Sequence, residues 1–172
     1  MNRRRAVAHY LMPDEILKTI YDLDMERLWA RGCRHILLDL DNTLVPWNAM
    51  EVPDCLLSWT GSLAERGFKC VLVSNNSDGR TNTVAKRLDL PYLANAGKPG
   101  KKAAIRAMEI INGCPKSSAI VGDQLMTDIW MGKKAGLYTV LVSPISNTEF
   151  KGTKLNRIIE RALLSSMGVE RP

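Results

Sequence analysis

A doubly wound α/β fold, with a parallel sheet covered by helices on both faces, is the architecture this sequence predicts. Two observations carry that expectation. Short runs at 36–40, 70–74, 119–121 and 139–142 are apolar nearly throughout, as strands are when both faces of a parallel sheet are buried. Between them lie segments whose apolar residues recur every three or four positions, the spacing of amphipathic helices.

Taken in order, residues 13–21 read as a short helix with Ile16 and Ile20 on one face, and Asp24 caps a further turn ending near Gly32. Residues 35–40 form the first clear strand. A loop over 42–52 holds Pro46 and Trp47, and 53–66 is helical, with Leu56, Leu57, Leu63 and Ala64 inward and Gly67 as its stop. Residues 70–74 give a second buried strand that ends in Ser74-Asn75-Asn76. A helix over 81–88 stops at Pro91, and 92–94 is a short extended piece. Residues 100–111 are helical with Ala104, Ile105, Met108 and Ile111 on the apolar face. After 119–121 come Gly122-Asp123, a helix over 126–135 closed by Gly136, and the last strand at 139–142. A final helix over 154–165 presents Leu155, Ile158, Ile159, Ala162 and Leu163 together.

At 172 residues the chain is long enough for one domain, spanning 1–172, with a substantial core. No run of about 18 apolar residues could span a bilayer, and no secretory h-region follows the basic start, so a cytoplasmic chain is expected. Cys33, Cys55, Cys70 and Cys114 lie far apart without CxxC pairing and read as free thiols. The net charge of +6 is concentrated over 98–116 and 151–172. Such surfaces favour anionic partners, although solvated helix faces carry the same composition.

The polar residues worth following sit where strands end. Asp39 and Asp41 are two positions apart, so in a strand they point the same way. Like charges there repel unless a cation intervenes, and a hard, oxygen-preferring ion such as Mg²⁺ would serve. A surface turn with solvated aspartates is the plainer alternative. Ser74 and Asn75 follow the second strand, Asp123 a later one, and Lys98 precedes a helix. In open parallel sheets, ligands bind beyond the carboxyl ends of the strands. Each residue alone has an ordinary use in a turn or cap; together they describe one rim.

The order of these features, DxDxT at Asp39-Asp41-Thr43, then Ser74, then Lys98-Pro99, then GDxxxxD from Gly122 to Asp128, resembles the haloacid dehalogenase (HAD) superfamily. The phrases LLDLDNTLVPW, VLVSNN, LPYLANAGKP and IVGDQLMTDIWMGKKAG are similar to its YqeG-like branch, which in turn resembles the mitochondrial phosphatidylglycerophosphate phosphatases. The resemblance implies a HAD-like Rossmannoid fold in which Asp39 is the nucleophile and Asp41 the general acid and base. It further implies Mg²⁺ held by Asp39, the backbone carbonyl of Asp41 and Asp123, with Asp128 supporting. Thr43, Ser74, Asn75 and Lys98 would bind the phosphate, with Lys101 and Lys102 as rival lysines. The stretches 44–69 and 75–97 leave no room for a cap domain, so the site should be open.

The implied activity is a Mg²⁺-dependent phosphomonoester hydrolase with an aspartyl-phosphate intermediate, acting on the lipid head group of phosphatidylglycerophosphate. Basic flanks and the last helix would then contact the inner face of a membrane peripherally. A phosphoprotein or a soluble sugar or nucleotide phosphate is the alternative substrate. A non-catalytic RNA- or ribosome-binding module is the alternative of another class, and scarce aromatics in the basic stretches argue against nucleic acid.

Overall fold

The computed structural model describes residues 10–146, 159–160, 162–165 and 168. Expectations placed on 1–5, Leu155, Ile158 and the basic residues from Lys151 to Arg161 lie outside them. Six strands, β1 (Glu15–Leu17), β2 (His35–Leu38), β3 (Lys69–Val73), β4 (Tyr92–Leu93), β5 (Ser118–Gly122) and β6 (Tyr138–Val142), form a sheet in the order β1-β6-β5-β2-β3-β4. Every neighbouring pair is parallel. The helices are α1 (Met25–Ala30), α2 (Asp54–Glu65), α3 (Asp78–Leu88), α4 (Lys101–Ile110) and α5 (Trp130–Ala135).

The apolar runs form strands because they are buried from both sides. Ile36 and Leu38 pack with Leu56, Trp59 and Leu63 of α2 and Val84 and Leu88 of α3. Leu37 between them belongs to a second cluster with Ala103, Ala104 and Ala107 of α4 and Met131 of α5. Full burial of each such leucine is worth about 1.5–3 kcal/mol, which fixes the register: a slip by one residue would exchange the two faces. The α5 layer sits close to the sheet through Gly132, where a Cβ would lie 2.4 Å from Ile120 Cγ2 and 2.7 Å from Thr139 Cγ2. From central β2 the chain winds to β3 and β4 on one side and returns to β5 and β6 on the other. The crevice where the winding reverses therefore opens at the carboxyl ends of β2 and β5.

Four local expectations within residues 10–146 need correction. Residues 13–21 are not helical: they form β1 and a 3₁₀ turn at Ile20–Asp22. The Asp14 carboxylate accepts hydrogen bonds from Thr139 N–H (2.8 Å) and Oγ1 (2.7 Å), which draws this segment onto β6 as an added strand. In α2 the buried residues are Leu56, Trp59, Thr60 and Leu63, while Leu57 and Ala64 are exposed. In α4 the small residues Ala103, Ala104 and Ala107 face inward with Met108, Ile105 stands 39% exposed, and Ile111 is buried just past the helix. Finally, 126–135 is not one helix. A π-helical turn at Leu125–Ile129 precedes α5, and Gly136 closes α5 in the left-handed conformation.

In the C-terminal segment, Glu160 and Leu164 are buried and Leu163 is half-buried, whereas Ile159 and Ala162 are exposed. The described part of that segment thus turns a different face inward from the one expected.

Candidate active site

Asp39 lies one residue beyond β2, and its N–H still donates to Val121 O (2.9 Å), so the sheet itself fixes its position. Its carboxylate accepts from Thr43 Oγ1 at 2.7 Å through Oδ2 and from Lys98 Nζ at 2.5 Å through Oδ1. Lys98 Nζ also donates to Asp128 Oδ1 at 2.7 Å, and Thr43 Oγ1 stands 3.4 Å from Asp123 Oδ1. Asp39, Asp123, Asp128 and Lys98 are all buried.

Two local features deliver Asp128. The π turn rotates its side chain back over the end of β5, where Oδ2 accepts the Gln124 N–H at 3.1 Å. Gly122 makes the space, since a Cβ there would sit 2.4 Å from Asp128 Cγ. The same turn is held from the far side by Glu160, whose Oε1 accepts the Met126 N–H at 3.1 Å.

One carboxylate oxygen from each of Asp39, Asp123 and Asp128 can be chosen so that all lie within 4.8 Å of one another. Burial alone would push the Lys98 ammonium down, but the neighbouring Asp128 and Asp39 outweigh it and hold Lys98 above its ordinary value. Burial drives the Asp128 carboxyl up to about 6, with Lys98 pulling it back and Asp39 pushing it further up. A cluster of buried carboxylate oxygens that one lysine serves in part is a donor set suited to a hard divalent cation.

Above this floor a cavity of ≈ 740 Å³ opens, walled by Asp41, Trp47, Asn76, Pro99, Met126 and Trp130 among others. Asp39, Ser74, Asn75 and Lys98 also reach it. Ser74 Oγ accepts the Asn76 N–H at 3.0 Å, which directs its own proton elsewhere. Asn75 clamps the lysine loop: Nδ2 donates to Lys98 O (3.1 Å) while Oδ1 accepts Lys98 N–H (2.8 Å). Asp41 is only partly buried and is engaged outside the carboxylate cluster, with Oδ1 2.7 Å from Arg80 Nη1 and Oδ2 accepting from Asn76 Nδ2 at 3.3 Å. Asn42 adopts a left-handed backbone (φ 62°), and its Oδ1 gathers the Trp47 N–H and the Ser146 hydroxyl.

The residues singled out from the sequence therefore converge, with three differences of detail. Thr43, expected at the phosphate, donates its hydroxyl proton to Asp39. The Asn75 side chain, expected there too, is engaged by the Lys98 backbone. Asp128 joins the carboxylate cluster directly, and the rival lysines Lys101 and Lys102 are exposed on α4. Sequence reasoning missed Arg80, Asn76, Asn42 and Glu160. Only Asn42 carried a signal, as an asparagine within a tight turn directly after an aspartate.

The chain is 35% identical over 158 residues to the probable phosphatase YqeG of Bacillus subtilis, covering 92% of each chain. The chain belongs to the HAD-superfamily phosphatases, in their YqeG-like branch. A HAD-hydrolase-like family model matches residues 95–147, the part of this phosphatase that carries Lys98, Asp123 and Asp128. The phosphatidylglycerophosphate phosphatase 1 of Chlamydomonas reinhardtii chloroplasts is 33% identical over 99% of this chain and 66% of its own length. Among solved structures, the cobalt-bound deoxy-D-mannose-octulosonate 8-phosphate phosphatase of Haemophilus influenzae shares the fold. Its TM-score is 0.50 at 14% identity, over 80% of this phosphatase and 91% of that chain. An uncharacterised Listeria monocytogenes protein aligns at TM-score 0.54 and 15% identity, over 67% and 84% of the two chains.

Proposed function

We propose that this phosphatase hydrolyses the terminal phosphomonoester of phosphatidylglycerophosphate with Mg²⁺ held by Asp39, Asp123 and the backbone carbonyl of Asp41, Asp128 assisting. The observation that carries the lipid substrate is the mouth of the cavity. Trp47, Met126 and Trp130 line it, and Met50 and Ile145 stand 48% and 50% exposed on the loops that Asp41 and Asn42 anchor. Cations flank it: Lys134 lies over the Trp130 ring and bonds Pro99 O, and exposed Lys101 and Lys102 follow Pro99. Apolar rim residues among lysines suit an anionic bilayer from which only the head group enters, each cation adding about 1 kcal/mol near such a surface. Two relatives that bear the phosphatidylglycerophosphate phosphatase name support the same reading.

In this mechanism Lys98, with Ser74 and nearby backbone N–H groups, binds the phosphoryl oxygens, and Thr43 and Lys98 aim the Asp39 carboxylate. An Asp39 oxygen attacks phosphorus, the P–O bond to the glycerol breaks, and the departing oxygen takes a proton from Asp41. Water then attacks the aspartyl-phosphate, Asp41 accepts its proton, and inorganic phosphate leaves with Asp39 regenerated. When bound, Mg²⁺ supplies charge neutralisation for the phosphoryl oxygens and the nucleophile.

Turnover of phosphatidylglycerophosphate in anionic mixed micelles should far exceed that of glycerol 3-phosphate, vanish in EDTA and return with Mg²⁺. The lipid advantage should shrink as salt screens the surface. Equal or faster hydrolysis of the soluble ester would remove the lipid assignment and leave the phosphatase; full activity in chelator would remove the metal.

A further inference from the structure

Arg80 stands behind the cavity wall, in contact with the lining residue Asp41, and no step proposed for the reaction uses it. It stands in the first turn of α3, with a side chain only 9% exposed. Nη1 approaches Asp41 Oδ1 to 2.7 Å without straight hydrogen-bond alignment, so the contact is an ion pair, while Nη2 donates to Ala49 O at 2.9 Å. The other Asp41 oxygen accepts from Asn76, whose own Oδ1 accepts the Ser77 N–H at 2.7 Å. Arg80 thus joins the start of α3 to both Asp41 and the loop that carries Trp47 and Asn48.

We infer that Arg80 is a positioning residue that holds the Asp41 carboxylate at the mouth of the cavity, where the leaving group departs. The inference rests on the reading of Asp41 as general acid and base. Asp41 lies beyond the end of β2, so the sheet does not fix its rotamer, and two attractions act on it from the floor. Lys98 is one, and a cation among Asp39, Asp123 and Asp128 would be the other. A fourth carboxylate free to turn inward would join that cluster and abandon the leaving oxygen. Arg80 opposes this pull through its ion pair, with a planar guanidinium that serves Asp41 and Ala49 at once.

The consequence is selective. Losing the acid slows departure of a poor leaving group far more than that of an activated one. With R80Q, kcat/KM for glycerol 3-phosphate should fall by about 30-fold or more, while that for 4-nitrophenyl phosphate stays within about threefold. Because dephosphorylation also needs Asp41, the aryl ester should give a burst of nitrophenol and trappable phosphate on Asp39. R80K, which reaches one partner but not both, should recover part of the alkyl-ester rate, and it carries the same comparison if R80Q fails to fold. Equal losses on both esters, or none, with D41N still selective for the alkyl ester, would overturn the positioning role alone. A D41N variant that lacked this selectivity would overturn the acid–base reading of Asp41, and the role of Arg80 with it.

Discussion

At both ends of the sheet a lysine meets aspartate, and the two meetings differ in kind. At the amino ends of β1 and β6, Lys133 Nζ lies 2.8 Å from Asp14 Oδ1, and Oδ2 accepts two hydrogen bonds from Thr139. Burial opposes ionisation of Asp14, but the bonds from Lys133 and Thr139 outweigh it and hold the carboxyl below its usual range. At the carboxyl ends of β2 and β5, Lys98 serves Asp39 and Asp128 together, beside Asp123, and Asp128 is pushed up instead. The first pair is balanced and belongs to the fold. The second carries more carboxylates than its lysine can neutralise, a conflict that a proton on Asp128 relieves and that a bound divalent cation would relieve as well.

The largest expected effect separates the rims by chemistry. Asp39→Asn should lower phosphate release by at least about a thousandfold, as loss of the proposed nucleophile would, and abolish trapping of a phosphorylated enzyme. Asp14→Asn, at the opposite rim, should leave turnover unchanged. A comparable loss in both variants would mean that the difference between the rims is one of stability only.

Lysine removal asks the same question through folding. Lys98→Met leaves Asp39 and Asp128 facing each other in a buried site, which should cost roughly 3–5 kcal/mol in metal-free buffer. Divalent cation should return much of that loss, so the rise in Tm on adding Mg²⁺ should be greater than for the unsubstituted chain. Lys133→Met should cost under about 1 kcal/mol and show no such enhanced response. If Mg²⁺ does not rescue the Lys98 variant, surplus charge is not what the metal answers.

A smaller effect tests how the floor is held. Gly122→Ala drives a methyl into Asp128, so stability should fall by about 1–3 kcal/mol and metal affinity by about 10- to 100-fold. Gly61→Ala, where a Cβ meets nothing within 4 Å inside α2, should be neutral or stabilising by up to about 1 kcal/mol. Thermal melts with and without Mg²⁺ measure both.

The carboxylate floor was legible in the sequence because strand ends announce themselves: an apolar run that stops at Asp39, Ser74 or Asp123 marks position and side at once. The central strands and most helices followed from the same periodicity. What escaped depends on long-range partners. The three residues of β1 become a strand only through β6, more than 120 positions away, and the spacing of Ile16 and Ile20 suggested a helix instead. Arg80 fell just outside the helix expected over 81–88, and nothing local reveals that Asp41 would lie against it. Glu160 defeated the apolar-face argument, being a buried acid whose partner is the Met126 N–H. The π turn was hidden because it exists to bring Asp128 over Gly122, not to extend α5.

The smallest effect is acid sensitivity at the amino rim. Asp14 has a folded-state pKa below its unfolded value of 3.8, so the unfolded chain binds its proton more readily. Its contribution should therefore be complete above about pH 5 and lost as pH falls through the folded value, below 3.8. The loss should be about 1 kcal/mol, because the pair is partly exposed to water. Asp128 has the opposite sign. In metal-free protein its raised pKa, about 6, means the folded state holds the proton more tightly, so its contribution should improve as pH falls from above 6 toward 3.8. Urea unfolding of the unsubstituted chain, Asp14→Asn and Asp128→Asn across that range reads both slopes as differences. Subtracting Asp14→Asn should leave a term that declines with acid; subtracting Asp128→Asn should leave one that grows, and Mg²⁺ should reverse the second while leaving the first unchanged. Two slopes of the same sign would show that the rims are electrostatically alike.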